Sequence, residues 1–519
     1  MIKPLRNVRW KEAAPRLVAD FLIVQAAAIC SLVGVVVWKL DTDLPESVAE
    51  LVHWLAHFYY AQFLPLSLIF PVVFIMFGFY SALRAYQPRY KRRVVFRGVT
   101  AATLLFLFLN FIVAREWLPP RSAVLLFVVL VNAGAIGARW MKDWLVANNA
   151  LGPPPAYHPA PAEAPVLIVG GAGYIGSALC RKLLAAGERV RVLDSLLYGD
   201  SAIRELMSHP KFELIVGDCR NIQSVVSSVR GSGSIVHLAA IAGDPACEEV
   251  RQSALEINYA ATRVMIEIAK GAGVERFLFA SSCSVYGASG AIMDEGSFVN
   301  PISLYAHTKV DSEKALLRER SDTFHPTVLR LATVFGISYR PRFDLVVNFL
   351  TGQAYSKRLI TIFNAQQWRP FIHVDDAAEG FLRVLRAPVP VVSGEIFNLG
   401  DSRLNYTLGQ VAEHIRAAFP DTRVEHIENA DQRDYRVSFD KIGNMVGFRC
   451  ARQLSDGIRE LKAAFEQGSI KDHMDPLYHN QRHLRESGDL SNQSAFDEYV
   501  MAAFSQALPP PAGAAAKAP

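Results

Sequence analysis

An eleven-residue stretch about a third of the way along the chain constrains the fold more than any other feature. It runs from Val166 to Gly176 and reads V-L-I-V-G-G-A-G-Y-I-G, a short apolar segment that opens onto glycines. The apolar segment predicts a buried strand, and the residues from Ser177 onward predict a helix. Glycine suits such a turn because the backbone must bend tightly and approach a pyrophosphate closely. The stretch therefore predicts a dinucleotide site with the phosphates at the helix N-terminus.

The acidic residue after the second predicted strand indicates which dinucleotide binds. That strand ends at Asp194, eighteen residues after Gly176. A carboxylate there accepts both ribose hydroxyls of NAD and repels the additional phosphate of NADP. Because Ser195 and Leu196 follow, with no Arg or Lys, we expect NAD as the cofactor. The candidate cofactor residues of the turn itself are Gly170, Gly173, Tyr174, Ile175 and Gly176.

Short β-branched runs alternate with helical patterns from Pro165 onward. This alternation predicts an α/β fold with a Rossmann-like, doubly wound parallel sheet and a smaller C-terminal substrate-binding subdomain. Ligands of such a sheet bind at the carboxyl ends of its strands. The further predicted strands are Phe212–Val216, Ser234–Leu238, Arg276–Ala280 and Thr327–Leu331. The candidate cofactor residues at strand ends are Asp218, Cys219, Leu238, Ala239 and Ala240.

The first 145 residues carry four apolar stretches of membrane-spanning length. Basic residues concentrate before the first stretch, between the second and third, and after the fourth, whereas acidic residues follow the first. This asymmetry predicts an α-helical membrane domain with four transmembrane helices and both termini in the cytoplasm. Four buried helices of a soluble domain are the alternative, which the charge alternation disfavours. The predicted spans are Leu17–Trp38, Leu64–Leu83, Gly98–Ala114 and Ser122–Ala138.

Proline-rich segments mark the expected domain boundaries. Proline at high density disfavours helices and ladder pairing, so the first segment predicts a semi-rigid spacer and the last residues a disordered tail. We expect a transmembrane domain at 1–146, a linker at 147–164, a nucleotide-binding domain at 165–484 and a C-terminal extension at 485–519. The substrate-binding part is expected mainly at 337–375 and 403–455.

Tyr305 and Lys309 lie four residues apart in S-L-Y-A-H-T-K, where a helix is predicted. At this spacing both side chains share one helix face. An ammonium beside a phenol favours the phenolate and lowers the pKa of the tyrosine, which makes it a usable general base. A chance surface pair is the alternative. The hydroxyl-bearing strand end at 280–286 and the nucleotide turn favour the catalytic interpretation.

These motifs resemble the extended short-chain dehydrogenase/reductases, specifically the NAD-dependent nucleotide-sugar epimerase/dehydratase family. The resemblance covers about residues 165–484 and includes G-D-C-R, H-L-A-A, S-S-C-S-V-Y-G, Y-A-H-T-K and W-R-P-F-I-H-V-D-D. The first 145 residues resemble the four-helix N-terminal region of polysaccharide-biosynthesis sugar-nucleotide dehydratases. The family resemblance implies a catalytic set of Ser282, Tyr305 and Lys309, with Tyr305, Lys309 and Asn258 also beside the cofactor.

The expected substrate residues follow from the same resemblance. It implies that Ser282 lies beside the sugar and that Arg369 binds the diphosphate, and Thr333, a further candidate substrate residue, stands where the family pattern carries an Asn. Arg433 and Arg436 carry planar forks that suit phosphate, and of the two we assign Arg436 to the substrate. His373, by contrast, is predicted to be a packed strand histidine.

Departures from the family pattern narrow the expected chemistry. Dehydratases of the family carry Asp-Glu directly after the catalytic hydroxyl, and decarboxylases keep the Glu. Here Cys283 and Ser284 occupy these positions, and neither acts as an acid or base at neutral pH. We therefore expect a nucleotide-sugar 4-epimerase of surface polysaccharide biosynthesis. A dehydratase or keto-sugar reductase is the enzymatic alternative, and an NAD-sensing membrane scaffold, which would need neither Tyr305 nor Lys309, is the non-enzymatic one.

Composition bounds the expected partners. A net charge of +5 on 519 residues gives no reason to expect nucleic acid. Six scattered cysteines, without C-x-x-C or zinc spacing, predict neither a disulfide nor a metal site. We expect a nucleotide-diphosphate sugar as substrate, the lipid bilayer as a partner and a homodimer as the assembly. The catalytic domain should lie on the cytoplasmic side of the cell inner membrane.

The charge asymmetry predicts a topology that reporter fusions can test. A reporter fused after Lys142 should be cytoplasmic, and one inserted near Asp43 should be periplasmic, because basic loops stay on the cytoplasmic side. Activity of a phosphatase and fluorescence of a cytoplasmic reporter at the two positions measure this. The inverse pattern would contradict the topology and would separate the catalytic domain from cytoplasmic sugar nucleotides.

Overall fold

The computed structural model describes residues 10–38, 47–76, 88–113, 119–147, 164–428 and 433–488. They fall into two compact units, one within the first 156 residues and one from residue 157 onward. Nearly all of the predicted linker, the C-terminal tail and charged residues such as Lys3, Asp43 and Arg84 lie outside the described residues.

The first unit is a bundle of four helices. Helices α1 and α3 each pack against both α2 and α4. Large apolar side chains cover its outer surface, and Leu22, Leu64 and Leu125 are each more than half exposed. Apolar residues both inside and outside a helix bundle are what a lipid environment requires. The helices are α1 (Trp10–Val37), α2 (Val48–Met76), α3 (Pro88–Val113) and α4 (Arg121–Ala147).

Three of these helices, not four, combine the length and apolar composition needed to cross a bilayer. The prediction of a span at Gly98–Ala114 is wrong in this respect, since the apolar part of α3 covers only Gly98–Leu109. Its first ten residues are the basic segment P-R-Y-K-R-R-V-V-F-R. The second span starts at Val48, not Leu64, because α2 continues through Pro65 and Pro71. The qualifying segments are Leu17–Val37, Val48–Ile75 and Arg121–Ala138.

The second unit alternates strands and helices along most of its length. The strands are β1 (Val166–Val169), β2 (Val190–Asp194), β3 (Phe212–Val216), β4 (Ser234–His237), β5 (Arg276–Ser282), β6 (Ala288–Met293), β7 (His325–Leu331), β8 (Thr333–Phe335), β9 (Leu359–Phe363), β10 (Trp368–His373), β11 (Ile396–Leu399), β12 (Asn405–Thr407), β13 (Arg423–Ile427) and β14 (Asp434–Val437). The helices are α5 (Tyr174–Ala185), α6 (Ile222–Val229), α7 (Asp244–Glu249), α8 (Arg251–Leu255), α9 (Ala261–Gly271), α10 (Leu304–Leu317), α11 (Val346–Lys357), α12 (Val374–Arg386), α13 (Val389–Val392), α14 (Leu408–Ala418), α15 (Asp440–Val446), α16 (Leu454–Glu466) and α17 (Asn480–Ser487).

Seven strands form one parallel sheet in the order β11-β7-β5-β4-β1-β2-β3. The chain proceeds outward from β1 in one direction and from β4 in the other, so the strand order reverses between these two strands. A crevice forms outside the carboxyl ends at such a switch point and is where ligands bind in this architecture. The predicted Rossmann-like parallel sheet is confirmed.

Each face of the sheet has its own hydrophobic core, which explains why the strands read as continuous apolar runs. In β1, Val166 and Ile168 point into a core shared with α5 and α12. Leu167 and Val169 point to the opposite face, where α6, α9 and α10 pack. The two-residue period of a strand divides its side chains between the two cores.

Three small sheets complete the second unit. They pair β10 with both β12 and β8, β13 with β9, and β14 with β6. Strand β6 lies outside the expected substrate-binding range, although its partner β14 lies inside it. Well over a hundred residues separate the two strands in the chain, so the sequence does not reveal their pairing. These sheets hold one wall of the cleft described below.

A buried ion pair joins β7 to α10 beneath the carboxyl end of β5. Arg330 contacts Glu313 at 2.7 Å, and both side chains are about 5% exposed or less. Glu313 also accepts a hydrogen bond from the Ser281 hydroxyl. The pair therefore fixes α10 against the end of β5, which carries Ser282.

Replacing Glu313 tests this interaction. Glu313→Ala should lower the free energy of unfolding by about 3–5 kcal/mol, because Arg330 stays buried without its carboxylate. Glu413→Ala, which removes an exposed partner of Arg416, is the matched control and should change it by at most about 0.5 kcal/mol. Denaturant unfolding of the purified protein measures both, and equal effects would contradict the assignment.

Candidate active site

A cleft of about 970 Å³ opens at the carboxyl ends of the parallel strands in the second unit. The structure brings all the predicted site residues into its lining except Asn258 and Arg436. Those in the lining are Gly170, Gly173, Tyr174, Ile175, Gly176, Asp194, Asp218, Cys219, Leu238, Ala239, Ala240, Ser282, Tyr305, Lys309, Thr333 and Arg369.

The turn after β1 leaves no room for side chains. Gly170 has a φ of +88°, and a Cβ there would lie 2.7 Å from the backbone nitrogen of Ala239. A Cβ on Gly176 would overlap the carbonyl oxygen of Gly170. The N-terminus of α5 therefore meets the cleft as bare backbone. The amide groups of Tyr174 and Ile175 lie in its first turn, which has no intrahelical acceptors for them.

Asp194 ends β2 with its carboxylate already oriented. Its oxygens accept hydrogen bonds from the backbone nitrogens of Ala172, at 2.9 Å, and Leu196, at 2.8 Å. Burial raises the pKa of Asp194, and these two bonds and Arg340 oppose the rise. Since each carboxylate oxygen accepts more than one hydrogen bond, capacity for ribose hydroxyls is left.

Asp218 is held in place from the side opposite the cleft. Arg220 donates from Nε, at 2.9 Å, and from Nη2, at 2.7 Å, to one Asp218 oxygen. Arg220 in turn contacts Glu256 at 3.0 Å, and Glu256 is fully buried. This chain of charges fixes the carboxylate of Asp218, one of the candidate cofactor residues, in the lining of the cleft.

These features fit NAD. The glycines form a cradle that a Cβ would fill, and two oriented carboxylates stand where the adenosine is expected. Arg340, which is 6% exposed and lines the cleft, has no hydrogen-bond partner for Nε among the described residues. A cofactor oxygen would satisfy this buried donor.

Ser282, Tyr305 and Lys309 meet at the carboxyl end of β5. Ser303 caps α10 by accepting a hydrogen bond from the Ala306 nitrogen at 3.2 Å, which places Tyr305 in the first turn. The Lys309 ammonium lies 5.5 Å from the centre of the Tyr305 ring and donates to the carbonyl oxygen of Ala280 at 2.7 Å. The helix spacing predicted from the sequence thus puts both side chains on the cleft side.

The expected lowering of the tyrosine pKa is wrong for this structure. Burial raises the pKa of Tyr305 above its ordinary value. Burial also lowers the pKa of Lys309 to about 8. Both shifts have the same cause, since a site shielded from water disfavours the charged form of each group. The sequence showed the shared helix face but not the depth at which the pair lies.

The two positions after Ser282 carry no usable acid. Cys283 is buried, donates from Sγ to the Arg330 carbonyl at 3.3 Å, and has its thiol pKa raised by burial. Ser284 lines the cleft, and its hydroxyl has no hydrogen-bond partner among the described residues.

The other carboxylates of the described cleft are occupied. Asp244 accepts from Ser303, at 2.6 Å, and from Arg433, at 2.6 Å. Asp344 accepts from Arg342 twice, each time at 2.9 Å. With Asp194 and Asp218 held as described above, each acid in the described lining already serves a positioning role.

Arg433, not Arg436, reaches the cleft. Successive side chains of a strand point to opposite faces. Arg433 and Tyr435 therefore line the cleft, whereas Arg436 points away and stacks over Trp368 at 5.2 Å. The prediction for Arg436 is wrong because the sequence alone does not reveal which face of β14 is inward.

Arg369 lies in the lining with its guanidinium fixed. It donates to the carbonyl oxygens of Trp368, at 2.8 Å, and Arg433. Its charge lies 5.6 Å from the ring centre of Tyr435, a cleft residue that sequence reasoning missed. The alternation of side chains along β14 would have identified Tyr435 as a cleft residue, had the pairing register of this strand with β6 been known.

Asn258 acts on the backbone and is not in the lining. Its Oδ1 accepts from the Ile241 nitrogen at 2.8 Å, and its Nδ2 donates to the Ile241 carbonyl at 3.0 Å. Its side chain thus positions the loop after β4, as a structural residue beside the expected cofactor site. It reaches this loop from a π-helical turn at Glu256–Ala260.

His373 is a packed strand histidine, as expected. It is 1% exposed, its Nε2 lies 2.8 Å from Glu460, and its Nδ1 accepts from the Asp375 nitrogen at the start of α12.

Comparison with known proteins shows what the region that forms the cleft is similar to. Residues 166–400 match the model described as the NAD dependent epimerase/dehydratase family. UDP-glucuronate 4-epimerase of Thermodesulfobacterium geofontis is 28% identical over 289 residues, which cover 53% of this chain and 86% of that protein. A 3-beta-hydroxysteroid dehydrogenase of Mycolicibacterium neoaurum is 29% identical over 249 residues, covering 46% of this chain and 65% of that protein.

A solved structure shows a likeness over more than half of the chain. MoeE5 in complex with UDP-glucuronic acid and NAD matches with a TM-score of 0.51 and 26% identity, over 59% of this chain and 100% of that one. The prediction of NAD as the cofactor is confirmed. The similar proteins include an epimerase and a dehydrogenase, so similarity alone does not define the reaction.

The glycine cradle yields a test by substitution. Gly170→Ala should abolish NAD retention, because the added Cβ meets the Ala239 backbone and φ is positive. Gly187→Ala is the matched control, since it has the same backbone strain at φ +85° but open space around the Cβ. Each should cost about 1–3 kcal/mol of stability from backbone strain. Bound NAD, measured after gel filtration, should be lost only from the first. Retention by both would contradict the cradle.

Proposed function

We propose that the protein is a nucleotide-sugar 4-epimerase, because residues 166–400 match the model of the NAD dependent epimerase/dehydratase family. The observation that supports it is the meeting of Ser282, Tyr305 and Lys309 in a cleft whose carboxylates are all engaged. Elimination of water needs an additional acid and base, whereas epimerisation needs only oxidation and re-reduction at one carbon.

Tyr305 takes the proton from the sugar 4-hydroxyl in this proposal. NAD, held by the glycine turn after β1 and by Asp194, would supply the acceptor for the hydride at C4, and its reduced form would return that hydride. One N–H of the Lys309 ammonium donates to the Ala280 carbonyl oxygen. Its other N–H groups are available to the cofactor ribose and to Tyr305. Since burial favours the protonated phenol, the positive charge of Lys309, 5.5 Å from the Tyr305 ring, must offset it for the tyrosine to act as a base.

Ser282 holds the sugar oxygen. Its Oγ already accepts a hydrogen bond from the Ser284 nitrogen at 3.2 Å, so its own proton is available to donate to that oxygen. The residue thereby fixes the same hydroxyl from which Tyr305 removes the proton. Thr333 lies in the same lining and contributes a second hydroxyl near the sugar.

A cationic wall binds the substrate diphosphate. Arg342, Arg369 and Arg433 line the part of the cleft formed by the small sheets and the loop after β8. Planar guanidinium groups suit phosphate oxygens because they donate two parallel hydrogen bonds. Asp344 orients Arg342 and Asp244 orients Arg433. These two guanidinium groups are therefore already ordered before a diphosphate binds.

The first unit anchors the enzyme in the cell inner membrane, with the catalytic domain in the cytoplasm, where it serves surface polysaccharide synthesis. Support comes from three helices of spanning length and from the basic loops of the sequence. A homodimer is the expected assembly.

Tyr305→Phe tests the mechanism. It should reduce turnover by roughly 10²–10⁴-fold, the usual contribution of a positioned acid–base group, while NAD stays bound. Tyr355→Phe, in a ring stacked on Phe465 away from the cleft, is the matched control and should leave turnover unchanged. Equal turnover in both variants would exclude Tyr305 as the base.

Product analysis tests the reaction itself. The purified protein is incubated with a panel of UDP-, GDP- and dTDP-sugars, and products are identified by mass and NMR. A C4 epimer of unchanged mass, without net NADH formation, is expected. Loss of water or carbon dioxide, or stoichiometric NADH turnover, would replace the epimerase with a dehydratase, decarboxylase or reductase.

A further inference from the structure

The last described segment of the chain crosses the cofactor half of the cleft. We call residues 473–488, which include α17, the clasp. The clasp follows the 166–400 region that matches the family. Its members in the cleft lining are His479, Asn480, Gln481, Arg482 and Arg485.

Asn480 joins two walls of the cleft. Its Nδ2 donates to the Ala242 carbonyl, in the loop after β4, at 3.0 Å. Its Oδ1 accepts from Arg340 at 2.8 Å, and its backbone nitrogen donates to Asp344 at 3.1 Å, both in the loop after β8. At 3% exposure, these bonds compete little with water.

His483 and Leu484 secure the third wall and the core. His483 Nε2 lies 2.8 Å from the Leu197 carbonyl, and its ring centre lies 4.9 Å from that of Tyr198. Both partners belong to the loop that follows Asp194. Leu484, 2% exposed, packs into the core on the α9 and α10 face of the sheet. The clasp thus contacts the loops after β2, β4 and β8.

An outer ion pair fastens the same helix to α7. Arg485 contacts Glu249 at 2.6 Å, and Gln481 donates to Glu249 at 3.1 Å. Arg485 is mostly exposed, so this pair is weaker than the contacts of Asn480.

Arg340 connects the clasp to the cofactor. Its guanidinium lies 3.7 Å from the centre of the Tyr198 ring and donates to Asn480 and to the Leu477 carbonyl. It is also close enough to Asp194 to lower the pKa of that carboxyl against the effect of burial. Its buried Nε is the unpartnered donor noted above. A cofactor oxygen bonded to Nε would be linked to the clasp through a single side chain.

We infer that the clasp retains NAD in the cleft through successive turnovers, and that its opening limits cofactor exchange. NAD cannot leave past the adenosine end without separating loops that the clasp ties together. Retention suits the redox-neutral epimerisation proposed above, on which this rationale rests, since NAD is regenerated in every turnover. Asn480 and His483 act here as positioning residues.

Cofactor exchange in the full-length protein tests the inference. Protein loaded with isotopically labelled NAD is mixed with excess unlabelled NAD, and loss of label is followed by rapid filtration. Asn480→Ala should speed exchange roughly 10–100-fold, because two buried side-chain hydrogen bonds are lost. His483→Ala, which removes one less buried contact, should speed it roughly 3–10-fold. Glu486→Ala, on the exposed face of the same helix, should not change it.

A purely structural role predicts a different result. In that case both variants would lower the midpoint of thermal unfolding equally with and without NAD, and the exchange rate would match that of the control. This outcome overturns the inference. Should Asn480→Ala fail to fold, His483→Ala decides alone. The exchange assay needs no sugar, so fast exchange in the variants together with a dehydrated product would leave the clasp standing and remove only the epimerase.

Discussion

The close approach of two backbones, at Gly170 and Ala239, is the constraint on which the cofactor half depends. The backbone nitrogens of Leu238 and Ala239 both donate to the Val169 carbonyl, so the end of β4 is fastened directly to the end of β1. That fastening leaves no space for a side chain at Gly170. The crevice at the reversal of strand order is narrow for this reason, and it presents amide groups without intervening side chains.

The catalytic half depends instead on charges buried beneath it. Glu313 and Arg330 fix α10 to the central strands, and Asn258 fixes the loop after β4 from a neighbouring helix. Tyr305 and Lys309 therefore emerge from a helix that cannot shift without breaking a desolvated ion pair. Precision at a site of this kind comes from polar groups that never touch the ligand.

The sequence predicts the cofactor half well because its signals are local. Glycine spacing, the distance to Asp194 and the helix spacing of Tyr305 and Lys309 are all read within short windows. The substrate half is predicted poorly because its geometry is set by distant pairing. The choice of Arg433 over Arg436 depends on how β14 aligns with β6, and nothing near either strand reveals that alignment.

The depth at which Tyr305 is buried and the residue at which the third helix begins could not be predicted from the sequence either. The Tyr305 pKa depends on how much water the whole fold excludes, which four-residue spacing does not show. The third apolar stretch is predicted as a span with its basic residues in the preceding loop, whereas the helix already begins at Pro88 and its apolar part is Gly98–Leu109. The sequence predicts the clasp only as the end of a domain, because the three loops that it contacts lie well over a hundred residues earlier in the chain.

The position of the clasp has a consequence for biosynthesis. A ribosome delivers the chain from its N-terminus, so the membrane helices and then the parallel sheet emerge long before residues 480–487. The central sheet can assemble once β11 has appeared, with the nucleotide crevice still open on the side that Asn480 later closes. If the clasp retains NAD as inferred, newly made protein passes through a stage in which NAD exchanges freely, and formation of α17 converts an exchangeable ligand into a resident one.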